Sequence, residues 1–323
     1  KDAQKKIFDQ IEKSEALSYV YKKIELPIFP IVEQMGKNGI TLDVKFLADL
    51  SKKYHKKLEQ FEKEIWGLSG VEFNISSPKQ LGEVLFEKME LPTKGIKKSA
   101  SGGYSTRASE LEKLESEHEI IEKIYHYREL QKLLSTYIDA LPKLVAEDGR
   151  LHSEFLQAGT STGRFSSNKP NLQNIPIKTD LGYAIRKAFV APKGFSLLAL
   201  DYSQIELRVA ALLSQDEKML KIFNQDQDIH AGVASYVFDV KQDEVTKEMR
   251  RRAKVINFGI IYGMGINALK KSLGSSREEA QEFYNKYFAQ FSGVRQYLDG
   301  VKEYAQKNGY TETLFGRRRY FPG

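Results

Sequence analysis

The sequence predicts an α+β fold, on three observations. Residues 44–68 and 110–141 alternate charged and apolar side chains at the period of a helix, which indicates long, highly charged helices. Residues 195–200 form a short apolar run bounded by Pro192 and Gly194, which is typical of a buried strand. Residues 37–39, Lys-Asn-Gly, predict a tight turn before the apolar segment Ile40–Leu42.

Composition narrows the class of protein. The 323 residues include 50 Lys and Arg, 43 Asp and Glu and no Cys, with a formal net charge of +7. The lack of Cys excludes disulfides and thiolate metal sites, and the five His residues show no zinc-type spacing. We expect an intracellular protein of about two or three structural units, and the small positive excess favours a polyanionic partner only weakly.

The beginning of the chain carries no membrane signal. Residues 1–35 predict an amphipathic helix followed by a proline-punctuated segment, and they lack the apolar core of a signal peptide. No apolar run elsewhere approaches the length of a bilayer span, so we expect no membrane partner. The chain begins without Met, which suggests a fragment.

Shorter elements lie between the two long helices. Ser77 before Pro78 predicts a helix N-cap with proline at the first helical position, opening a short helix through Met89. Residues 92–107 follow as a loop rich in Gly, Ser and Lys, which we expect to be too polar to pack. Its cations, Lys94, Lys97, Lys98 and Arg107, could hold a phosphate backbone, and a solvated loop explains them equally well.

A second polar loop, at 160–176, is rich in hydrogen-bond donors. Arg164, Asn171, Gln173 and Asn174 all carry donors. The minor groove of every base pair presents acceptors at purine N3 and pyrimidine O2, so these donors could hold a duplex whatever its sequence. The alternative is a loop whose Asn side chains cap their own turns.

Asp201 directly follows the apolar run, so we expect it at the end of a buried strand. A carboxylate fixed there suits a hard divalent cation, which prefers oxygen ligands. The alternative is an ordinary helix-initiating aspartate, because residues 205–213 have a helical period and Ser203 with Glu206 matches a capping box.

The most informative segment is 250–263. Arg250, Lys254, Phe258 and Tyr262 recur every four residues. Each step drifts only about 40° around a helix, so the four side chains share one face with the cations first. Such a face could hold a planar ligand that bears phosphate. Taken alone, a solvated basic stripe beside aromatics that face a core explains the same residues.

Together these motifs resemble the family A DNA polymerases, the bacterial DNA polymerase I group. Residues 162–176, residues 201–208 (Asp-Tyr-Ser-Gln-Ile-Glu-Leu-Arg) and the ladder at 250–263 follow the family's order and separation, and residues 76–92 match the position of its thumb. The resemblance implies a right-hand fold with a helical thumb, helical fingers and an antiparallel palm sheet. The implied division is 1–45 N-terminal palm or linker, 46–141 thumb, 142–206 palm with the metal-binding aspartate, 207–308 fingers and 309–323 a return to the palm.

The resemblance also implies template-directed DNA synthesis, in which the primer 3′ hydroxyl attacks the α-phosphate of a deoxynucleoside triphosphate and releases pyrophosphate. Asp201 and the backbone carbonyl of Tyr202 would be ligands of two Mg²⁺ ions. Arg250 and Lys254 would hold the triphosphate, and Lys254 would also protonate the leaving pyrophosphate. His230 matches a family position near the phosphates, with a buried structural histidine as the alternative.

Further roles follow from the same resemblance. Phe258 and Tyr262 would stack against base and sugar, and Glu206 would block a ribose 2′ hydroxyl. Glu206 therefore favours a DNA polymerase over the related single-subunit RNA polymerases, which lack that barrier. Phe258 in place of tyrosine implies poor use of dideoxynucleotides. Lys97, Lys98 and the donors of the second polar loop would bind primer–template DNA.

The sequence departs from the family at its end. It stops at Gly323, where the family continues through more palm and a His-Asp-Glu motif that supplies a second metal-binding aspartate. Because one aspartate is a poor two-metal site, we expect a polymerase-derived chain with an incomplete palm that is inactive alone. A non-catalytic nucleic-acid-binding fragment is the alternative. We further expect a monomer in the bacterial cytoplasm, associated with the nucleoid.

Overall fold

The computed structural model describes residues 2–99, 102–177 and 179–321. The chain divides into two compact units. The terminal unit comprises Lys1–Leu26 and Ala199–Gly323, and the central unit comprises Pro27–Leu198. Each unit has its own apolar core.

Helices dominate both units. In chain order they are α1 (Asp2–Glu12), α2 (Glu15–Tyr19), α3 (Leu26–Asn38), α4 (Val44–Ser69), α5 (Pro78–Glu83), α6 (Ala108–Leu111), α7 (Ile120–Leu133), α8 (Asp180–Arg186), α9 (Ile205–Ser214), α10 (Glu217–Asn224), α11 (Ile229–Phe238), α12 (Lys247–Ile261), α13 (Ile266–Leu273), α14 (Arg277–Gln290) and α15 (Ser292–Asn308). Short π-helical segments at Val20–Glu25, Val84–Lys88 and Leu134–Ile138 and 3₁₀ turns at Glu112–Leu114, Leu141–Leu144 and Gln242–Glu244 join or extend them.

The strands are short and every described pairing is antiparallel, as predicted for the palm sheet. They are β1 (Ile40–Leu42), β2 (Arg150–Leu151), β3 (Glu154–Leu156), β4 (Ser166–Asn168), β5 (Phe189–Val190), β6 (Tyr310–Glu312) and β7 (Arg318–Tyr320). The order β2-β1-β5 forms one sheet in the central unit, with Ile40 opposite Leu151, and β3 pairs with β4 beside it in sequence. β6 and β7 form a hairpin in the terminal unit, and residues 322 and 323 of the predicted segment 309–323 lie outside the described residues.

The central unit is built around α4 and α7, which pack against each other. Asp43 caps α4, because its Oδ1 accepts a hydrogen bond from the backbone N–H of Phe46 at 2.8 Å. Gly70 ends the helix in the left-handed region, at φ 66°. The buried apolar row comprises Leu47, Tyr54, Leu58 and Ile65 on α4 and Ile121, Ile124 and Leu130 on α7. Burying each Leu or Ile side chain stabilises the fold by about 1.5–3 kcal/mol.

The apolar core of the terminal unit gathers residues from α9 to α15. α11 and α12 pack against each other and contribute Val233, Ala234, Ala253 and Ile256, all fully or almost fully buried. Because these two helices are closely packed, the exposed side chains of α11 and α12 have fixed positions relative to each other. Within the described ranges, no helix has both the length and the apolar character that crossing a bilayer requires.

Two helices predicted from the sequence are confirmed. The amphipathic run at 44–68 is α4, which extends to Ser69. The short helix after Ser77 is α5 with its π-helical extension to Lys88, and Ser77 Oγ accepts a hydrogen bond from the N–H of Gln80 at 3.4 Å.

The prediction of one helix over 110–141 is wrong. α6 and its 3₁₀ turn end at Leu114, and α7 begins only at Ile120. The break falls in Glu-Ser-Glu-His-Glu at 115–119, where like charges crowd one turn and disfavour a helix. His118 Nδ1 also accepts a hydrogen bond from the N–H of Ile120 at 3.1 Å, which fixes the start of α7.

The proline-punctuated segment is helical, and the predicted turn after it is shorter than expected. α3 runs through the segment with Pro30 inside and ends at Asn38. Only Gly39 leaves the helix, at φ 58°, and a Cβ there would lie 2.6 Å from the carbonyl oxygen of Leu151. Gly39 is therefore required both by its backbone conformation and by the close approach of β2.

Candidate functional site

The ladder predicted at 250–262 lies on α12. Thr246 caps this helix, with its Oγ1 accepting a hydrogen bond from the N–H of Met249 at 3.2 Å. The buried residues of the helix are Ala253, Ile256, Asn257, Gly259 and Ile260. Arg250 and Lys254 are exposed, and Tyr262 directly follows the last helical residue as the C-cap. The helix therefore has a buried face and a face that carries the predicted ladder.

The two aromatic residues of the ladder lie with their rings nearly parallel. The centroids of Phe258 and Tyr262 are 6.5 Å apart, with an angle of 9° between the ring planes. Phe258 is half-buried and its ring also contacts His230, at a centroid distance of 5.7 Å. Tyr262 is 59% exposed, so the outer end of the pair offers a planar apolar surface to a ligand.

His230 is buried on α11, with only 2% of its surface exposed. Its Nδ1 lies 3.1 Å from Nδ2 of Asn257, a buried side chain of α12. Burial lowers the pKa of His230 below its ordinary value, and the nearby charges of Arg250 and Lys254 lower it further against the opposing charge of Asp228. His230 is therefore neutral at physiological pH, and its burial favours the structural alternative that the sequence left open.

Arg250 is held by an acidic partner that sequence reasoning missed. Nε and Nη2 of Arg250 donate to Oδ1 and Oδ2 of Asp228 at 3.1 and 2.8 Å. Asp228 also caps α11 by accepting a hydrogen bond from the N–H of Ala231 at 2.7 Å. Burial pushes the pKa of Asp228 up, but the bonds from Arg250 and Ala231 outweigh it and hold that pKa below its ordinary value.

The other cations on α12 differ in their partners. Arg251 and Arg252 both donate to Glu248, with closest N–O distances of 2.6 and 3.2 Å. These bonds, that from Arg251 most strongly, lower the pKa of Glu248 to about 2. Lys254 has no hydrogen-bond or ion-pair partner among residues 2–99, 102–177 and 179–321. Lys254 shares this property with Lys247 at the start of the helix, but only Lys254 belongs to the ladder.

The prediction of a buried strand at 195–200 is wrong. The segment has no regular structure, and Phe195, Leu198 and Leu200 are exposed, Leu200 by 85%. A strand needs a neighbour with which to exchange backbone hydrogen bonds, and none of the strands in the described ranges pairs with this segment. Asp201 therefore does not end a strand here, and both Asp201 and Tyr202 are exposed.

The capping-box alternative for this segment is also wrong. α9 begins at Ile205, and its N-cap is Gln204, which has φ 53° and makes no side-chain capping bond. Arg208, which sequence reasoning did not select, donates from Nε to the carbonyl oxygen of Ser203 at 3.0 Å. Its guanidinium lies 4.7 Å from the ring centroid of Phe223, so it ties the segment after Asp201 to α10.

Glu206 lies near the C-terminal half of α12. It is half-buried on α9 and lines a groove of about 350 Å³ with apolar residues of α9, α12 and α15. Ile260 and Ile261 of α12 form the facing wall. The structure thus brings Glu206 and the aromatic end of the ladder to neighbouring parts of one unit.

The loop at 160–176 in the central unit satisfies much of its own polarity. Asn171 Oδ1 accepts hydrogen bonds from the N–H of Gln173 at 3.0 Å and from the hydroxyl of Ser167 at 3.2 Å. Gln173 Nε2 donates to the carbonyl oxygen of Phe165 at 3.2 Å. Asn171 therefore caps its own turn, as one alternative predicted. The four predicted DNA-binding side chains, Arg164, Asn171, Gln173 and Asn174, are nevertheless exposed.

The basic loop at 92–107 packs more closely than predicted, although its residues 100 and 101 lie outside the described residues. Ile96, Ser105 and Thr106 are buried. Arg128 of α7 fixes the loop by donating from Nη1 to the carbonyl oxygen of Thr106 at 2.6 Å, and burial lowers the pKa of Arg128. The expectation that this loop is too polar to pack is wrong, because its backbone groups find partners within the loop, on Glu110 of α6 and on Arg128 of α7.

Two cations of this loop share one groove. Lys98 and Arg107 line a cavity of about 1070 Å³ together with Lys79 and Arg128, beside Glu83 and Glu87. Lys98 and Lys97 are exposed, and Lys97 donates its backbone N–H to the buried carboxylate of Glu110 at 3.0 Å. Sequence reasoning missed Lys79 and Arg128, because they lie outside the loop, on α5 before it and on α7 after it.

These features can be set against known proteins. The family model described as DNA polymerase family A matches residues 44–323, well over half of the chain. The chain belongs to DNA polymerase family A. The resemblance noted in the sequence is confirmed, and the ladder at 250–262 lies within the matched residues.

The relatives found for this family A chain are named DNA polymerase I. It is 46% identical over 317 residues to "DNA polymerase I, thermostable" of Thermus aquaticus, and 45% identical over 318 residues to DNA polymerase I of Geobacillus stearothermophilus. Both alignments cover 98% of this chain but only 38% and 36% of those proteins. The chain thus spans little more than a third of the length of the curated relatives it matches.

A solved structure supports the fold. The POL domain of Pol1 from M. smegmatis, in complex with a DNA primer–template and dNTP, matches with a TM-score of 0.86 and 39% identity. The match covers 97% of this family A chain and 55% of that one. The α+β class and the polymerase-domain fold predicted from the sequence are confirmed.

Proposed function

We propose that this family A chain takes part in template-directed DNA synthesis, adding deoxynucleotides to a primer 3′ end with release of pyrophosphate. The observation that carries the proposal is the outer face of α12, where two cations precede two nearly parallel aromatic rings. A deoxynucleoside triphosphate has the same order of groups, with a polyanion at one end and a planar base at the other.

Each ladder residue has a role in this proposal. Arg250 and Lys254 bind the triphosphate, the first through its planar fork and the second as a compact charge. Lys254 Nζ also holds the proton that it donates to the leaving pyrophosphate. Phe258 and Tyr262 contact the base and the sugar. His230 stays a predicted nucleotide-binding residue. Because its side chain is buried, it would act indirectly, by supporting the ring of Phe258.

The donors near Asp201 fit a magnesium ion. The carboxylate and the backbone carbonyl of Tyr202 are both oxygen ligands on exposed residues, and Mg²⁺ is commonly held by one or two carboxylates together with substrate phosphates. Asp201 and Tyr202 would hold Mg²⁺, which when bound offsets the charge on the transferring phosphate. A pair of ions requires a further carboxylate, and no cluster of three metal-ligating side chains occurs within the described ranges. Inactivity of the chain alone therefore stays a prediction.

Primer–template DNA is the proposed macromolecular partner. The exposed donors of the loop at 160–176 suit minor-groove acceptors, and the basic groove that includes Lys98 suits a phosphate backbone. Lys97 belongs to the same proposed contact. The division into thumb (46–141), palm (1–45, 142–206 and 309–323) and fingers (207–308) remains part of this proposal, as do a monomeric state and action at the bacterial nucleoid.

The test is whether nucleotide binding depends on the template. The chain is mixed with a primer–template whose primer lacks a 3′ hydroxyl, with Mg²⁺ and one deoxynucleoside triphosphate at a time, and DNA affinity is measured by fluorescence anisotropy. We expect the nucleotide complementary to the template base to tighten DNA binding and the other three not to. Equal effects of all four nucleotides would contradict template-directed synthesis and favour simple nucleic-acid binding. Phe258→Ala should remove the preference, because it removes one of the two nearly parallel rings proposed to contact the base and the sugar.

A further inference from the structure

Asp228 binds one edge of the Arg250 guanidinium. It accepts from Nε through Oδ1 at 3.1 Å and from Nη2 through Oδ2 at 2.8 Å, which uses two of the five N–H donors of the side chain. The two donors on Nη1 have no hydrogen-bond partner among residues 2–99, 102–177 and 179–321. One edge of the fork is therefore occupied, and the other remains for a ligand.

Asp228 is itself held in place. Its Oδ1 accepts the N–H of Ala231 at 2.7 Å as the N-cap of α11, and α11 packs against α12 through buried residues such as Val233 and Ile256. A carboxylate fixed in this way limits the rotation of the long Arg250 side chain, which otherwise has many rotamers. The position of the free edge is thus set by two packed helices.

The charges on α12 indicate why such a restraint matters. Glu248 offsets Arg251 and Arg252, and Asp228 offsets Arg250, whereas Lys254 of the ladder, like Lys247 at the start of the helix, has no ion-pair partner in the described part of the chain. Lys254 can therefore supply attraction for a polyanion, while a neutralised Arg250 contributes mainly through the direction of its N–H groups. Direction of this kind distinguishes a phosphate placed at the free edge from one placed elsewhere.

We propose that Asp228 is a positioning residue for nucleotide binding, which holds one edge of the Arg250 guanidinium so that the other edge meets the phosphates of a nucleoside triphosphate. This inference rests on the proposed function and adds a residue outside the ladder to the site. It predicts that removing the carboxylate weakens binding, although the removal leaves the site more positively charged. A carboxylate that served only as a counter-charge would have the opposite effect.

The test uses Asp228→Asn, because asparagine is an equally good N-cap and keeps α11 intact, while its amide group cannot accept from both Nε and Nη2. The dissociation constant of Mg²⁺–dNTP is measured by calorimetry for the full chain, for Asp228→Asn, for Arg250→Ala and for the double variant. Glu248→Gln is the matched control, since it removes one negative charge from α12, the helix that carries Arg250, and Glu248 pairs with Arg251 and Arg252 instead of Arg250.

We expect Asp228→Asn to weaken triphosphate binding by about three- to tenfold, with no further loss when it is added to Arg250→Ala and no loss in Glu248→Gln. Unchanged or tighter binding in Asp228→Asn would overturn the inference. A loss that persists in the Arg250→Ala background would also overturn it, because Asp228 would then act through the fold. If the unaltered chain bound no triphosphate, the proposed function itself would fail, which is a different result.

Discussion

Asp216 bonds to Gly293 across 77 residues of sequence, because its Oδ2 accepts the backbone N–H of Gly293 at 3.0 Å. Its Oδ1 accepts the N–H of Met219 at 3.1 Å, so one carboxylate satisfies donors at the beginnings of both α10 and α15. Asp216 is only 4% exposed. This single side chain ties together two helices of the terminal unit.

Replacing Asp216 should therefore destabilise the terminal unit. We expect Asp216→Ala to lower the free energy of unfolding by about 2–4 kcal/mol, because it leaves two backbone donors without partners. Asp216→Ser should lose less, since serine still caps α10 but is too short to reach Gly293. Urea unfolding of the three chains measures both differences. Equal stability of Asp216→Ser and the parent would show that the bond to Gly293 contributes nothing.

Two glycines of α15 should respond in opposite directions to the same substitution. A Cβ on Gly293 would lie 2.9 Å from Cα of Asp216, whereas a Cβ on Gly300 would meet no atom within 4 Å. Alanine is the better helix former by about 1 kcal/mol, so Gly300→Ala should stabilise the chain by roughly 0.5–1 kcal/mol. Gly293→Ala should destabilise it, because the clash involves backbone atoms. Thermal unfolding compares them, and stabilisation by both substitutions would show that α10 and α15 can separate at no cost.

Local sequence was enough to predict α4 and the ladder helix α12, but not the contacts that join helices to one another. α4 was predicted from its continuous amphipathic pattern, and α12 from the recurrence of ladder residues every four positions. The break at 115–119 was missed because Leu114 and Ile121 on its two sides are seven positions apart and so keep the helical phase, although all five residues of the break are polar. The segment at 195–200 was misassigned because an apolar run predicts burial only where another element supplies a surface.

The stability of the central unit should depend on the protonation of His152. Its Nδ1 lies 2.9 Å from the carbonyl oxygen of Gly36 and its Nε2 lies 3.0 Å from Oδ2 of Asp148. The Gly36 bond first, then Asp148, raises the pKa of His152 above 6.5 against the effects of burial and of Arg150. Folding therefore favours the protonated ring, and this contribution is present below pH 6.5 and lost as pH rises through the folded-state pKa.

The free energy of unfolding, measured by urea at a series of pH values from below 6.5 upward, should fall across that window. His152→Gln should reduce the slope, because glutamine can donate to the same acceptors but does not titrate. An unchanged slope in His152→Gln would assign the pH dependence to other groups.

Sugar selectivity should depend on Glu206. If its side chain blocks a 2′ hydroxyl, Glu206→Ala should reduce the preference for deoxynucleotides over ribonucleotides by about tenfold, because a steric barrier is removed. The ratio of the two dissociation constants is measured on the primer–template complex. Glu217→Ala, which removes an exposed glutamate from α10, is the control and should leave the ratio unchanged. An unchanged ratio in Glu206→Ala would contradict the steric role.

The sequence predicted only those residues of the site that lie on one face of a single helix. Spacing alone placed Arg250, Lys254 and Phe258 together, because a helix fixes the direction of every fourth side chain. Asp228 and Asn257 could not be found in this way. Each acts on a residue more than 20 positions away, Asp228 on Arg250 and Asn257 on His230, and those contacts exist only because α11 packs on α12.

The most direct test of the account is the affinity of the chain for Mg²⁺–dNTP when one lysine of α12 is removed. Lys254→Ala is compared with Lys247→Ala, which removes an exposed lysine from the first position of the same helix. We predict that Lys254→Ala weakens binding by about 10- to 100-fold, the loss expected for a charged hydrogen bond to phosphate, and that Lys247→Ala leaves it nearly unchanged. Equal affinities for the two variants would contradict the claim that the ladder face of α12 binds the nucleotide.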